Sequence, residues 1–311
     1  MFIIKYKKIF ISLSVMLVFL SISSLFVFGL NIGIDFKGGA LTEVVYKTMR
    51  PTQISLHEKL EALNFGAILL QPTGELGYIV KSRSLNDSEH TLLLKTLSLG
   101  HSPTGEAQDD LNTLVETSFN SIGPAVGREL TRKAIIAIIL ISFAIICFIA
   151  FAFRKVSLPV SSWRYGLIAI VTLLHDVAIP IGLFVVLSHY YSAELDTLFV
   201  VAILTILGLS VSDTIVIFDR IRENLKNQTN KQINFAEIVG KSLEQSYVRS
   251  ISTSLTVILV LLALFFFGPT TTSYFALMLI AGMFFGTYSS IFLASPLLVL
   301  VEEWQAKNGK S

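Results

Sequence analysis

Apolar residues dominate this chain in long uninterrupted runs, and the runs themselves predict its architecture. One covers Ile9 to Leu30, and five more follow at about Ala134 to Phe153, Tyr165 to Leu187, Leu198 to Phe218, Ser250 to Gly268 and Tyr274 to Val301. About 20 apolar residues suffice to cross a bilayer as a helix, so each run predicts a membrane span. Between the first two runs the pattern changes. LTEVVYK alternates as a strand does, while PTQISLHEKLEAL opens on Pro51 and brings Ile54, Leu56, Leu60 and Leu63 to near-helical spacing. GAILLQPTGELGYIVKS reads as a hairpin about a Pro and Gly turn. LNDSEHTLLLKTL and DDLNTLVETSF read as further helices on either side of the loop GHSPTGEAQDD. The expected fold is therefore a polytopic α-helical membrane protein, six transmembrane helices with a small α+β extracytoplasmic domain between helices 1 and 2. The expected divisions are 1–30 for the N-terminus and first span, 31–133 for the external domain, 134–301 for the other five spans, and 302–311 for a tail.

Composition agrees: of 311 residues 53% are hydrophobic and 15% charged. The net charge of +2 says little, because the placement of Lys and Arg sets orientation. Lys5, Lys7 and Lys8 precede the first span, Arg154, Lys155 and Arg164 separate the second and third, and Lys307 and Lys310 follow the sixth. Arg220, Arg222, Lys226, Lys231 and Lys241 lie in the connection expected over 219–249, whereas SHYYSAELD and GPTTTS contain no Lys or Arg. The positive-inside rule then places both termini in the cytoplasm. The first run is too long for a signal-peptide core and no small-x-small cleavage site follows it, so it is read as a retained span. Cys147 is expected to be a packed core thiol.

The candidate chemistry lies inside the spans. GLSVSDTIVIFDRIREN, Gly208 to Asn224, leaves the fourth span with Asp213 still below the surface and Ser210 and Ser212 beside it. An ionised residue near the bilayer centre costs about 2.5–3.5 kcal/mol on insertion scales, so it turns inward and has a partner or a task. Asp213 is either a neutral tie between helices or a proton carrier. Asp176, in His175–Asp176–Val177 of the third span, has Pro180 four residues on, which frees the Asp176 carbonyl. It is read first as a structural tie, through His175 or a neighbouring helix, and second as part of a proton path with Asp213. In the fifth span Arg249 heads a stripe of Ser252, Thr253 and Thr256, expected to face inward toward Asp213. Snorkelling at a helix end is the plainer reading of Arg249 alone. Gly282 and Gly286 have the spacing for close helix packing. Glu194 and Asp196 form either an outer proton entrance or a solvated loop. The histidines of the external segment, His57, His90 and His101, read as isolated surface residues with no metal-ligand spacing. GIDFKGG, Gly33 to Gly39, lacks the Walker spacing and is not a phosphate loop; with SIGPAVGREL, Ser121 to Leu130, it is expected to set how the domain leaves the membrane.

These motifs carry a resemblance. GIDFKGG after the first span, SIGPAVGREL before the second, LLHDV in the third, LTILGLSVSDTIVIFDRIREN in the fourth and SYVRSISTSLT opening the fifth resemble, in this order, the SecF family of bacterial protein export. The resemblance covers essentially the whole chain. It implies half of a transporter of the resistance-nodulation-division type, completed by SecD, and a role in proton-driven movement for Asp213 and Arg249. It also implies work with the SecYEG translocon and an unfolded polypeptide in the bacterial cytoplasmic membrane, with YajC a further candidate partner and with no cofactor, metal, nucleic acid or enzymatic reaction. Ser212 stands where that family commonly carries Asn. The alternative is half of a proton-driven small-molecule exporter, for which an external domain of about a hundred residues is small. An intramembrane aspartyl protease would need Asp176 and Asp213 as a dyad, and GLSVSD lacks the Gly-x-Gly-Asp of such enzymes.

Overall fold

The computed structural model describes residues 2–99, 114–152, 162–191, 193–227 and 234–308. In chain order the elements are α1 (Phe2–Lys5), α2 (Lys7–Phe28), α3 (Ile34–Lys37), β1 (Gly39–Tyr46), α4 (Gln53–Glu61), β2 (Leu69–Thr73), β3 (Gly77–Ser82), α5 (Asp87–Leu99) and β4 (Leu114–Ile122). There follow α6 (Pro124–Ala152), α7 (Ser162–Tyr191), α8 (Thr197–Lys226), α9 (Phe235–Phe267), α10 (Thr270–Ser289), a π-helical segment (Ser290–Ala294) and α11 (Ser295–Asn308). They form two compact units, Met1–Asn31 with Ile136–Ser311, and Ile32–Ile135.

The smaller unit is a four-stranded antiparallel sheet of order β2-β3-β1-β4, with α4 and α5 supplying its core. This β-α-β-β-α-β order, with β3 between β1 and β2, is the split βαβ arrangement. Alternation in β1 buries Ala40, Val44 and Tyr46, and helical spacing buries Leu56, Leu60, Leu93 and Leu97 against them. Ile54, by contrast, is exposed. The expected hairpin is present as β2 and β3. The helix expected over DDLNTLVETSF is not: its described part, from Leu114, is strand β4, paired with β1 from Leu114 opposite Tyr46 to Ile122 opposite Gly39. Cross-strand pairing of Val115 and Phe119, residues that favour strands, overrides the weak helical spacing. The loop GHSPTGEAQDD, including His101, lies outside the described residues.

His90 is not an isolated surface residue: its ring stacks on Phe119 at 3.7 Å between centroids and its Nε2 lies 2.8 Å from Glu116 Oε1, joining α5 to β4. His57 is exposed and pairs with Glu61 one turn on. The two glycine motifs, 80 or more positions apart in sequence, meet. A Cβ on Gly127 would lie 2.9 Å from the Gly38 nitrogen and the Phe36 carbonyl oxygen, and one on Gly38, whose φ is +80°, would lie 2.9 Å from Pro124. Gly38 and Gly127 are glycines because at each the other motif occupies the space a side chain would need.

In the larger unit, α7, α8 and the segment from α10 through α11 are the most buried of six helices long and apolar enough to span a membrane, while α2, α6 and α9 leave much of their apolar surface uncovered. Cys147 belongs to that uncovered surface, contrary to the expected packed thiol. Small residues draw the inner helices together: a Cβ on Gly282 would fall 2.3 Å from Ile206, and one on Gly182 2.4 Å from Ser21. Asp196 is the N-cap of α8, accepting from the Phe199 nitrogen at 2.8 Å, which gives it a structural task at the helix end. The stretch expected as a connection, 219–249, is shortened by helix. α8 runs to Lys226 with ion pairs Arg220–Glu223 and Arg222–Asp219, and α9 resumes at Phe235 behind the N-cap Asn234.

Candidate functional site

Asp176 is fully buried in the middle of α7, four residues before the helix-interior Pro180. Three side chains from three helices surround its carboxylate. His175 Nδ1 is 2.8 Å from Oδ1, while the hydroxyls of Ser210 on α8 and Ser289 on α10 both donate to Oδ2, the latter at 2.7 Å. A carboxylate with three donors meets the requirement that a buried polar group be satisfied. It joins α7, α8 and α10 in one network.

Asp213, nearly one turn beyond Ser210 on α8, is half-buried and accepts a hydrogen bond from Thr287 Oγ1 at 3.2 Å. Thr287 also shares a hydrogen bond with Ser254 of α9. On the same stretch of α10 and the π segment, Ser289 serves Asp176, and Ser290 meets Thr214 of α8 at 2.8 Å. Thr287, Ser289 and Ser290 therefore connect the surroundings of the two carboxylates without any direct hydrogen bond between Asp176 and Asp213 among the described residues. The π segment explains how neighbouring serines reach different partners, because widening the turn at Ser290 shifts the inward register. Pro296 contributes to that widening by removing the donor that would bond the Phe292 carbonyl.

The inward polar face of α9 differs from the expected one. Ser242, Ser246, Ser250 and Ser254, at i+4 spacing, are buried, whereas Ser252, Thr253 and Thr256 are exposed; the two threonines bond carbonyls of their own helix, Arg249 and Thr253 respectively. Two polar stripes run along this helix, and α8 and α10 pack on it; Asn224 of α8 donates to Ser242 and Thr287 of α10 bonds Ser254 of the serine stripe. Arg249 is exposed and forms no ion pair with Asp213 among the described residues. Ser212 is exposed and adds nothing to the network. Thus the structure brings together Asp176, His175 and Ser210, with Asp213 tied to them through α10. It leaves Ser252, Thr253, Thr256 and Ser212 outside. Thr287, Ser289, Ser290 and Ser254 were not anticipated, although the run GTYSS within an apolar span is a visible signal.

Six long apolar helices among the described residues, three of them joined by a buried carboxylate network, with a split-βαβ unit inserted in the chain after the first, define a polytopic membrane protein with ionisable groups in its interior. Residues 105–304 match the model of the protein export membrane protein SecD/SecF C-terminal family, and residues 23–48 match the SecD/SecF GG motif. The protein translocase subunit SecF of Thermobaculum terrenum is 40% identical over 98% of this chain and 94% of its own length. The SecF subunit of Anaerolinea thermophila is 33% identical over 97% and 94%. Among solved structures, SecDF of Thermus thermophilus, described as a translocon-associated membrane protein, matches with a TM-score of 0.79 at 29% identity over 96% of this chain. This chain spans 38% of the length of that SecDF chain. The chain belongs to the SecF family.

Proposed function

We propose that the chain is the SecF-like accessory subunit of a Sec protein translocase, working with SecD to use the proton motive force in the late steps of protein export across the bacterial cytoplasmic membrane. One observation carries the reading beyond family membership: a half-buried carboxylate, Asp213, hydrogen-bonded through Thr287 to the helix that also holds the fully buried Asp176. A proton arriving at or leaving Asp213 changes one bond to α10, and α10 reports that change to α7, α8 and α9. Arg249 acts on Asp213 by position, since its guanidinium does not titrate usefully: approaching, it favours the carboxylate; withdrawing, it lets the proton bind. The membrane potential supplies about 2.3 kcal/mol per charge per 100 mV, enough to bias two arrangements of the bundle.

In this reading SecD supplies the missing half, SecYEG is the channel, YajC is a further partner, and the split-βαβ unit holds an emerging unfolded polypeptide outside the cytoplasm. Both termini, the tail 302–311 and the connection within 219–249 lie inside. The chain performs no catalysis of its own. Proteoliposomes containing SecYEG and SecD, with and without this chain, test it through completion of transport of a secreted precursor. A proton gradient should speed completion only when the chain is present; equal acceleration without it would exclude the proposal.

A further inference from the structure

Beside the Asp176 network lie three buried polar atoms with no partner among the described residues: Ser14 Oγ on α2, His175 Nε2 on α7 and Tyr288 Oη on α10. The packing register brings them together. The Phe28 ring meets His189 at 4.5 Å, and seven residues earlier on both helices Ser21 meets Gly182, so α2 and α7 run parallel in constant register. Seven residues earlier again come Ser14 and His175, both buried. The Tyr288 ring stacks on His175, with centroids 6.3 Å apart and planes at 21°. Phe292 then covers this patch, lying 5.1 Å from Tyr288 and 4.8 Å from Phe10, which is one turn before Ser14 on α2.

Three orphan polar atoms at one level of three helices, lidded by two phenylalanines, match the surroundings of structural water, which satisfies two to four buried polar groups at once. We infer that Ser14, His175 and Tyr288 bind one ordered water that extends the Asp176 network to α2. Each of the three atoms gains one hydrogen bond. In the tautomer whose Nδ1–H donates to Asp176 Oδ1, Nε2 accepts one water hydrogen. One hydroxyl takes the other water hydrogen and the second hydroxyl donates to the water oxygen. The water holds the imidazole plane and, through it, the position of the Asp176 carboxylate, which makes His175 a positioning residue. None of this rests on proton coupling at Asp213.

Solid-state NMR of the chain with its SecD partner in lipid bilayers, with 15N-labelled histidine, tests the inference. The chain has five histidines, and His175→Gln assigns the signal. Polarisation from water should reach His175 Nε2 as fast as it reaches the exposed His57. Ser14→Val combined with Tyr288→Phe should slow that transfer severalfold, while Asp213→Asn should leave it unchanged. Should the double variant fail to assemble, Tyr288→Phe alone, which keeps the ring and removes one partner, must still slow it. No transfer to His175 in the native complex, or transfer undiminished in the variants that assemble, would overturn the inference.

Discussion

Removing the Asp176 carboxylate tests how much of the bundle's cohesion depends on it. In Asp176→Ala, His175 Nδ1 and the Ser210 hydroxyl lose their acceptor inside a packed core. Ser289 is cushioned, because it already bonds the Gly286 carbonyl of its own helix at 3.0 Å. A stranded buried polar group costs about 1–3 kcal/mol, so two give roughly 2–6 kcal/mol, with the lower end reached if the hydroxyl finds a backbone carbonyl. Asp213→Ala removes the Thr287 hydrogen bond from a half-buried group and should cost about 1 kcal/mol. Thermal inactivation of the purified protein in one detergent, followed by loss of the monodisperse size-exclusion peak, compares them at matched heating rates. The large unit should lose stability far more with Asp176→Ala than with Asp213→Ala. Equal losses would refute the assignment of Asp176 as the hub and Asp213 as the loosely held partner.

Three other outcomes follow from the geometry. Gly282→Ala places a Cβ 2.3 Å from Ile206 and should destabilise the bundle by about 1–3 kcal/mol, with Ile206→Ala restoring part of the loss in the same inactivation assay. Thr287→Val cuts the hydrogen bonds to Asp213 and Ser254 together, so the assembled complex should keep export without a gradient and lose most of the acceleration that a gradient gives. In the small unit, Glu89 forms a reciprocal cap with Asn86 and a two-bond pair with Arg83, which, with the Asn86 backbone, holds its carboxyl down to about 2. Its stabilising contribution is complete above the usual carboxylate range and is lost as pH falls toward 2, so hydrogen-exchange protection of α5 in the full chain should decline over that window in the native protein and show a much flatter acid response in Glu89→Ala.

The six spans were legible because twenty apolar residues in a row carry a signal that no neighbour can cancel, and Asp176 and Asp213 were legible because charge within such a run is expensive. The orientation of α9 was not. Its Arg249–Ser252–Thr253–Thr256 and Ser242–Ser246–Ser250–Ser254 stripes are both polar, and only the packing of α8 and α10 decides between them. Thr287, Ser289 and Ser290 escaped notice because hydroxyls are tolerated anywhere in an apolar helix and the π segment moves the register on which a helical-wheel argument depends. β4 was misread for a related reason: a short stretch of mixed polarity takes its conformation from the strand beside it.

The central claim is that Asp213 is a proton-coupled element of protein export, and it is tested most directly by Asp213→Asn in vesicles holding the chain, SecD and the translocon. Completion of precursor transport is followed with and without a proton gradient, at equal amounts of assembled complex. The account predicts that the gradient accelerates the native complex and no longer accelerates the variant. A full response to the gradient in Asp213→Asn would make this carboxylate a structural tie and contradict the mechanism.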